Sequence, residues 1–167
     1  MTAFSAAVLL FSVAFLAALD GRYPRRYTAL ILEKSEKYAL DPAFVAAIVC
    51  VESGFDPDAL SKKGACGLMQ IMPATAEWIA VKTGVGYSPE ALFDADYNIE
   101  IGCAYLNYLS GRFSGETTVA AAYNAGEGNV KKWLSGSGKI EFPETAAYVE
   151  KVAAAENVYR ARLRRAK

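Results

Sequence analysis

The chain contains no histidine in its 167 residues. That absence removes Ser-His-Asp and Cys-His catalysis and leaves no ordinary zinc site, because all of these lean on imidazole. Cysteine is scarce, at three residues, and none stands in a CxxC pair. Surplus charge is lacking as well: Lys+Arg and Asp+Glu both count 18, so no nucleic acid partner is implied. There is no Gly-rich phosphate loop and no EF-hand pattern. No run of alternating apolar and polar residues is long enough for a convincing strand. Carboxylate chemistry on a mostly helical frame is what these absences leave, and the length suits one domain with a real core.

One long apolar run is present. Residues 3–19, AFSAAVLLFSVAFLAAL, carry no charge. The run is somewhat short for a membrane-spanning helix of about 17–25 residues. It is longer than the apolar region of most signal peptides, at about 7–15. Residues 1–22 are therefore read as a hydrophobic helix serving as signal peptide or membrane anchor, and residues 23–167 as the folded domain with a basic tail. A core helix is the alternative reading of this run. Arg22, Arg25 and Arg26 follow the run and no Lys or Arg precedes it. The positive-inside rule would keep the domain cytoplasmic, a conflict that a start trimmed of basic residues would remove.

In the rest of the chain, helical periodicity and end signals mark helices over 24–40, Pro42–Ser53, Pro73–Thr83, 94–109, 116–124 and Pro143–Arg165, with a single extra turn at 129–134. The stretch 51–76, VESGFDPDALSKKGACGLMQIMPATA, holds the chemistry. Asp41 caps the helix before it, Pro42 takes the first position and Gly54 follows its end. Val45, Ile48, Val49 and Glu52 fall at i, i+3, i+4 and i+7, so a carboxylate continues an apolar stripe. Partial burial and the negative end of the helix dipole both push such a pKa upward, as general acid catalysis requires. The other reading of Glu52 is a solvent-facing helix end. Cys103 belongs to an apolar helix face and predicts a buried free thiol. Cys50 and Cys66 flank Glu52 and would pair only if the domain works outside the cell.

The succession ESGFDPDALSKKGACGLMQIMPATA, DYNIEIGCAYL, AAYNAGEGNV and FPETAAYVEKV resembles the soluble lytic transglycosylase-like catalytic domain, related to goose-type lysozyme. The resemblance covers about residues 23–152. It implies a lysozyme-like helical domain with a substrate cleft, acting on peptidoglycan glycan strands as a monomer outside the cytoplasm, with no metal or cofactor. It implies cleavage of the β-1,4 bond between N-acetylmuramic acid and N-acetylglucosamine. Glu52 matches the family's acid, which protonates the glycosidic oxygen and then accepts the proton of the sugar's own 6-hydroxyl, closing a 1,6-anhydro ring. Hydrolytic muramidase action and a non-catalytic wall-binding module are the alternatives.

By the same resemblance Ser61, Gln70, Met72, Tyr123, Asn124 and Glu144 line the sugar groove. Asn98 and Gly102 belong to its scaffold. From residue type alone, other readings stay open. Ser61 suits a turn cap, Met72 core filler, Tyr123 a core phenol and Asn124 a helix cap. Gln70 sits among Leu68, Met69 and Ile71, where a polar side chain needs partners.

Overall fold

A computed structural model of the chain describes Gly21 and residues 23–165. Along them run α1 (Thr28–Lys37), α2 (Pro42–Ser53), α3 (Pro73–Thr83), a 3₁₀ turn at Glu90–Phe93, α4 (Ala95–Ser110), α5 (Glu116–Ala125), α6 (Glu127–Ser135) and α7 (Pro143–Arg165). The fold is mostly α, and no named strand occurs among the described residues. The apolar run 3–19 lies outside them. No helix among the described residues is long and apolar enough to cross a membrane.

Helix α2 is the axle. Its Asp41 cap accepts the Ala43 amide at 2.7 Å, and Pro42 occupies the first turn, where a missing N–H costs nothing. Val45, Ala47, Ile48 and Val49 are fully buried, and Ala43, Phe44 and Ala46 nearly so. A helix apolar on all sides must be surrounded. Each fully buried Val or Ile of this set contributes about 1.5–3 kcal/mol. α7 lies along α2 and also packs on α5, so three helices converge where α2 ends.

The loop after α2 has only isolated antiparallel bridges of its own, Leu60 with Cys66 and Cys66 with Ile71, and is held by α4. Asn98, fully buried, accepts the Met69 amide at 2.7 Å through Oδ1. Its Nδ2 donates to Cys66 O at 3.0 Å and Leu92 O at 2.7 Å. Gly67 has φ +71°, and a Cβ there would sit 2.3 Å from Leu92 O, so neither its conformation nor its space admits a side chain. One turn beyond Asn98, Gly102 lets Met69 lie flat against α4; an added Cβ would come within 2.1 Å of the Met69 sulfur. The scaffold reading of Asn98 and Gly102 thus has a geometric basis.

Several sequence expectations are corrected. The first helix begins at Thr28, not residue 24, because Tyr27 has φ 60° in the left-handed region and Thr28 Oγ1 turns back to Arg25 O. Residues 127–135 form a full helix instead of one turn. Gly126, at φ 87°, makes the break, and Gly128 lies inside α6. No disulfide joins Cys50 and Cys66. Cys50 faces the Tyr159 hydroxyl on α7, whereas Cys66 is buried in the loop with its thiol donating to Gly64 O at 3.3 Å. Cys103 is the buried free thiol its position predicts. In the basic tail, Arg160 pairs with Asp41 at 2.7 Å and with Glu156.

Gly102→Ala should lower stability by about 1–3 kcal/mol, because Met69 is fully buried and must shift within a close-packed core. Urea unfolding should show this as a lower midpoint with an unchanged slope.

Candidate active site

Three elements meet around the last turn of α2: the loop 54–72, the end of α5 and the first turns of α7. Between them lies a cleft of about 530 Å³. All seven site residues chosen from sequence line it: Glu52, Ser61, Gln70, Met72, Tyr123, Asn124 and Glu144. Residues up to 92 positions apart in the chain are thereby brought to one wall or another of the same groove.

Glu52 is half-buried and continues the buried stripe of Val45, Ile48 and Val49. Burial pushes its carboxyl up from an ordinary 4.5 to about 7, against the opposing pull of a Tyr148 hydrogen bond. That bond, Tyr148 Oη–H to Glu52 Oε1, measures 2.7 Å. Desolvation disfavours the anion, and a donated hydrogen bond favours it; here the first effect wins. The burial that holds the proton on Glu52 also holds the phenols of Tyr123 and Tyr148 neutral, with the Glu52 charge adding to the effect.

The remaining residues divide by what they hold. Tyr123 donates to Met69 O at 2.7 Å, tying α5 to the loop. Gln70 has φ 49°, a strained conformation for a side chain of its kind. Its amide nitrogen donates to Ala59 O and Gly67 O, both at 3.0 Å, which leaves its carbonyl oxygen as the group with capacity for a ligand. Ser61 does both things proposed for it: its oxygen accepts the Ala65 amide at 2.9 Å while the residue faces the groove. Asn124 Oδ1 accepts from Thr145 Oγ1 at 2.8 Å, joining α5 to α7 across one end of the cleft. Met72 is no core filler; it is 41% exposed at the start of α3. Glu144 stands exposed in the first turn of α7.

Two contributors were not singled out from sequence, Tyr148 and Thr145. The signal was available. Pro143 fixes the start of α7, which sets Glu144 and Tyr148 one turn apart with Thr145 beside them, on the face that meets α2 and α5. Asp56 and Asp58, the acids nearest Glu52 in sequence, lie on an exposed turn in which Asp56 Oδ1 accepts the Asp58 amide at 3.0 Å. Trp133 is buried core.

Comparison with known proteins decides the family. The Transglycosylase SLT domain model matches residues 29–145, more than half of the chain. The chain belongs to the SLT domain family. The soluble lytic murein transglycosylase of Escherichia coli K12 is 37% identical over 155 residues, covering 85% of this chain and 24% of the relative. The membrane-bound lytic murein transglycosylase C of Edwardsiella ictaluri is 38% identical over 128 residues, covering 70% of this chain and 35% of the relative. Among solved structures, the 70 kDa soluble lytic transglycosylase of Escherichia coli superposes with a TM-score of 0.83 at 36% identity, over 87% of this chain and 26% of that one. An inactive glutamate-to-glutamine mutant of the lytic transglycosylase Slt from Pseudomonas aeruginosa gives 0.82 at 34% identity, over 87% and 26%. The SLT chain described here thus spans about a quarter of the length of the soluble relatives, and the lysozyme-like helical fold is shared.

The raised Glu52 pKa has a consequence for stability. A carboxyl that binds its proton more tightly folded than unfolded contributes stability fully present below about 4.5 and lost as pH rises towards 7. At about 1.36 kcal/mol per pKa unit the loss is about 3 kcal/mol. Glu52→Gln should be free of it, so its stability advantage over the parent should be larger at pH 8 than at pH 4.5 by about that amount. Urea unfolding of both proteins at the two pH values measures the difference.

Proposed function

We propose that the chain is a peptidoglycan lytic transglycosylase acting on glycan strands, with Glu52 as its single acid and base. The observation that carries this reading is one carboxyl, half-buried in the cleft, held near neutral pKa and engaged by one phenol. Ordinary glycosidases need two carboxylates across the scissile bond. Among the described residues the only other acid lining this cleft is Glu144, which is exposed and stands at the start of another helix. The names of the relatives, soluble and membrane-bound lytic murein transglycosylases, favour the same chemistry.

Protonated Glu52 gives its proton to the glycosidic oxygen as the bond to C1 breaks. Positive charge then spreads over C1 and the ring oxygen, and the new carboxylate is stabilised by the Tyr148 hydroxyl at the moment the charge appears. The same carboxylate takes the proton of the muramic acid 6-hydroxyl while that oxygen attacks C1. The 1,6-anhydro ring closes, Glu52 is protonated again, and no water is consumed. Tyr148 is a positioning residue in this scheme. Gln70 and Asn124 offer polar groups to the acetamido and hydroxyl substituents, while Met72 and Tyr123 supply apolar wall. We place the domain outside the cytoplasm, anchored or exported through residues 3–19.

Glu52→Gln should reduce the release of soluble fragments from purified peptidoglycan by several decades, since one general acid–base group is worth about 10²–10⁴-fold and this one acts twice. Asp56→Asn and Asp58→Asn should keep most activity. Mass spectrometry of the wild-type products should show muropeptides lighter by one water than hydrolysis gives. Reducing ends in their place would make the enzyme a muramidase.

A further inference from the structure

Beyond the cleft wall, α3 and α4 carry an aromatic ledge that the chemistry above does not use. Met72 starts α3 at the cleft. Trp78 follows six residues later, about 9 Å further along the helix axis, and is 38% exposed. Tyr105 and Tyr108, three residues apart on α4, turn one face towards it. The rings form an unbroken path out of the site. Tyr123, in the cleft, lies 5.3 Å from Tyr105 between ring centroids; Tyr105 stacks on Tyr108 at 6.4 Å; Tyr108 meets Trp78 edge to face at 4.7 Å.

The ledge is fixed from several sides. Lys82 lies over Trp78 and Tyr108 at 5.1 and 5.5 Å, and Arg112 over Tyr108 at 4.4 Å. The Tyr108 hydroxyl donates to Glu127 Oε2 at 2.8 Å, anchoring the ring to α6. The chain's other tryptophan, Trp133, is by contrast 4% exposed. Rigid, partly exposed aromatic surface next to a polar cleft lowers the ordering cost of binding a ligand there.

We propose that the exposed indole of Trp78 on this ledge is an outer saccharide subsite, on which a pyranose ring of the strand stacks after it passes Met72, while Tyr108, covered by Lys82 and Arg112, braces it. The proposal rests on the reading of the cleft as a glycan site. A pyranose has an apolar face of C–H groups with slight positive charge, which matches the negative face of an aromatic ring, while its hydroxyls stay in water. The indole adds one N–H donor at its edge. The consequence is a preference for strands long enough to reach from the cleft to the ledge.

The test uses the full chain in detergent with Glu52→Gln to silence turnover, titrated with a short and a long β-1,4-linked N-acetylglucosamine oligomer. Tryptophan emission is followed, and circular dichroism verifies the fold of each variant. The long oligomer should shift the emission and bind about tenfold tighter than the short one. Trp78→Ala in the same background should abolish both the shift and the gain while short-oligomer binding persists. Trp78→Tyr should restore most of the gain. Equal binding of both oligomers with unmoved emission would overturn the outer subsite and leave the cleft reading intact. Binding of neither oligomer would remove both.

Discussion

The site depends on one constraint: a carboxyl taken out of water at the end of a helix and given a single hydrogen-bond donor. Glu52 cannot move away from its apolar surroundings because α2 is buried along almost its whole length. Nor can the cleft flood it from behind, since α7 packs along α2 and brings Tyr148 to within 2.7 Å of Oε1. An isolated buried anion is costly, so the group resolves the conflict by keeping its proton near neutral pH. The same pressure that weakens the fold at high pH supplies the acid that the chemistry consumes. Stability and reactivity are opposed at this one atom pair.

The other walls of the cleft are organised by polar groups that satisfy loop backbone. A loop without strands has donors and acceptors to place, and buried ones must be paired. Asn98 satisfies two of them, and Leu92 O of the 3₁₀ turn besides, Gln70 two and Tyr123 one. Gln70 and Tyr123 do so while facing the cleft, so structural and ligand-facing roles are not alternatives for them. The rigidity this confers matters for catalysis, because a proton donor works only within hydrogen-bond reach of its target. A second polar knot, Arg160 with Asp41 and Glu156, ties the start of α2 to α7 at the far end from Glu52. The helix that carries the acid is therefore held at both ends.

Much of this was legible in the chain. The ends of α2, α3 and α7 follow from Asp41 and Pro42, from Pro73 and Gly84, and from Pro143, signals that act through local backbone chemistry. Glu52 stood out because a charge interrupted an apolar period. What was not legible depended on distance. The bond between Tyr148 and Glu52 spans 96 residues, and nothing local marks a tyrosine in a helix as a partner for a distant acid. The left-handed Tyr27 that delays α1 is likewise set by packing, since a tyrosine has no intrinsic preference for that conformation. Whether Cys50 and Cys66 pair was open for a related reason: closeness in sequence says little about the direction in which each thiol faces.

The raised proton affinity of Glu52 is the claim on which the chemistry turns, and it can be read without any substrate. Carbon-13 NMR of glutamate side-chain carboxyls, followed from pH 3 to 9 and assigned through Glu52→Gln, reports it directly. Burial lifts two glutamates towards 7, Glu52 and Glu156, and of these signals the Glu52 one should titrate near 7 and vanish in the variant. A Glu52 midpoint at the ordinary 4.5 would contradict the account, because the carboxyl would then hold almost no proton to give at neutral pH.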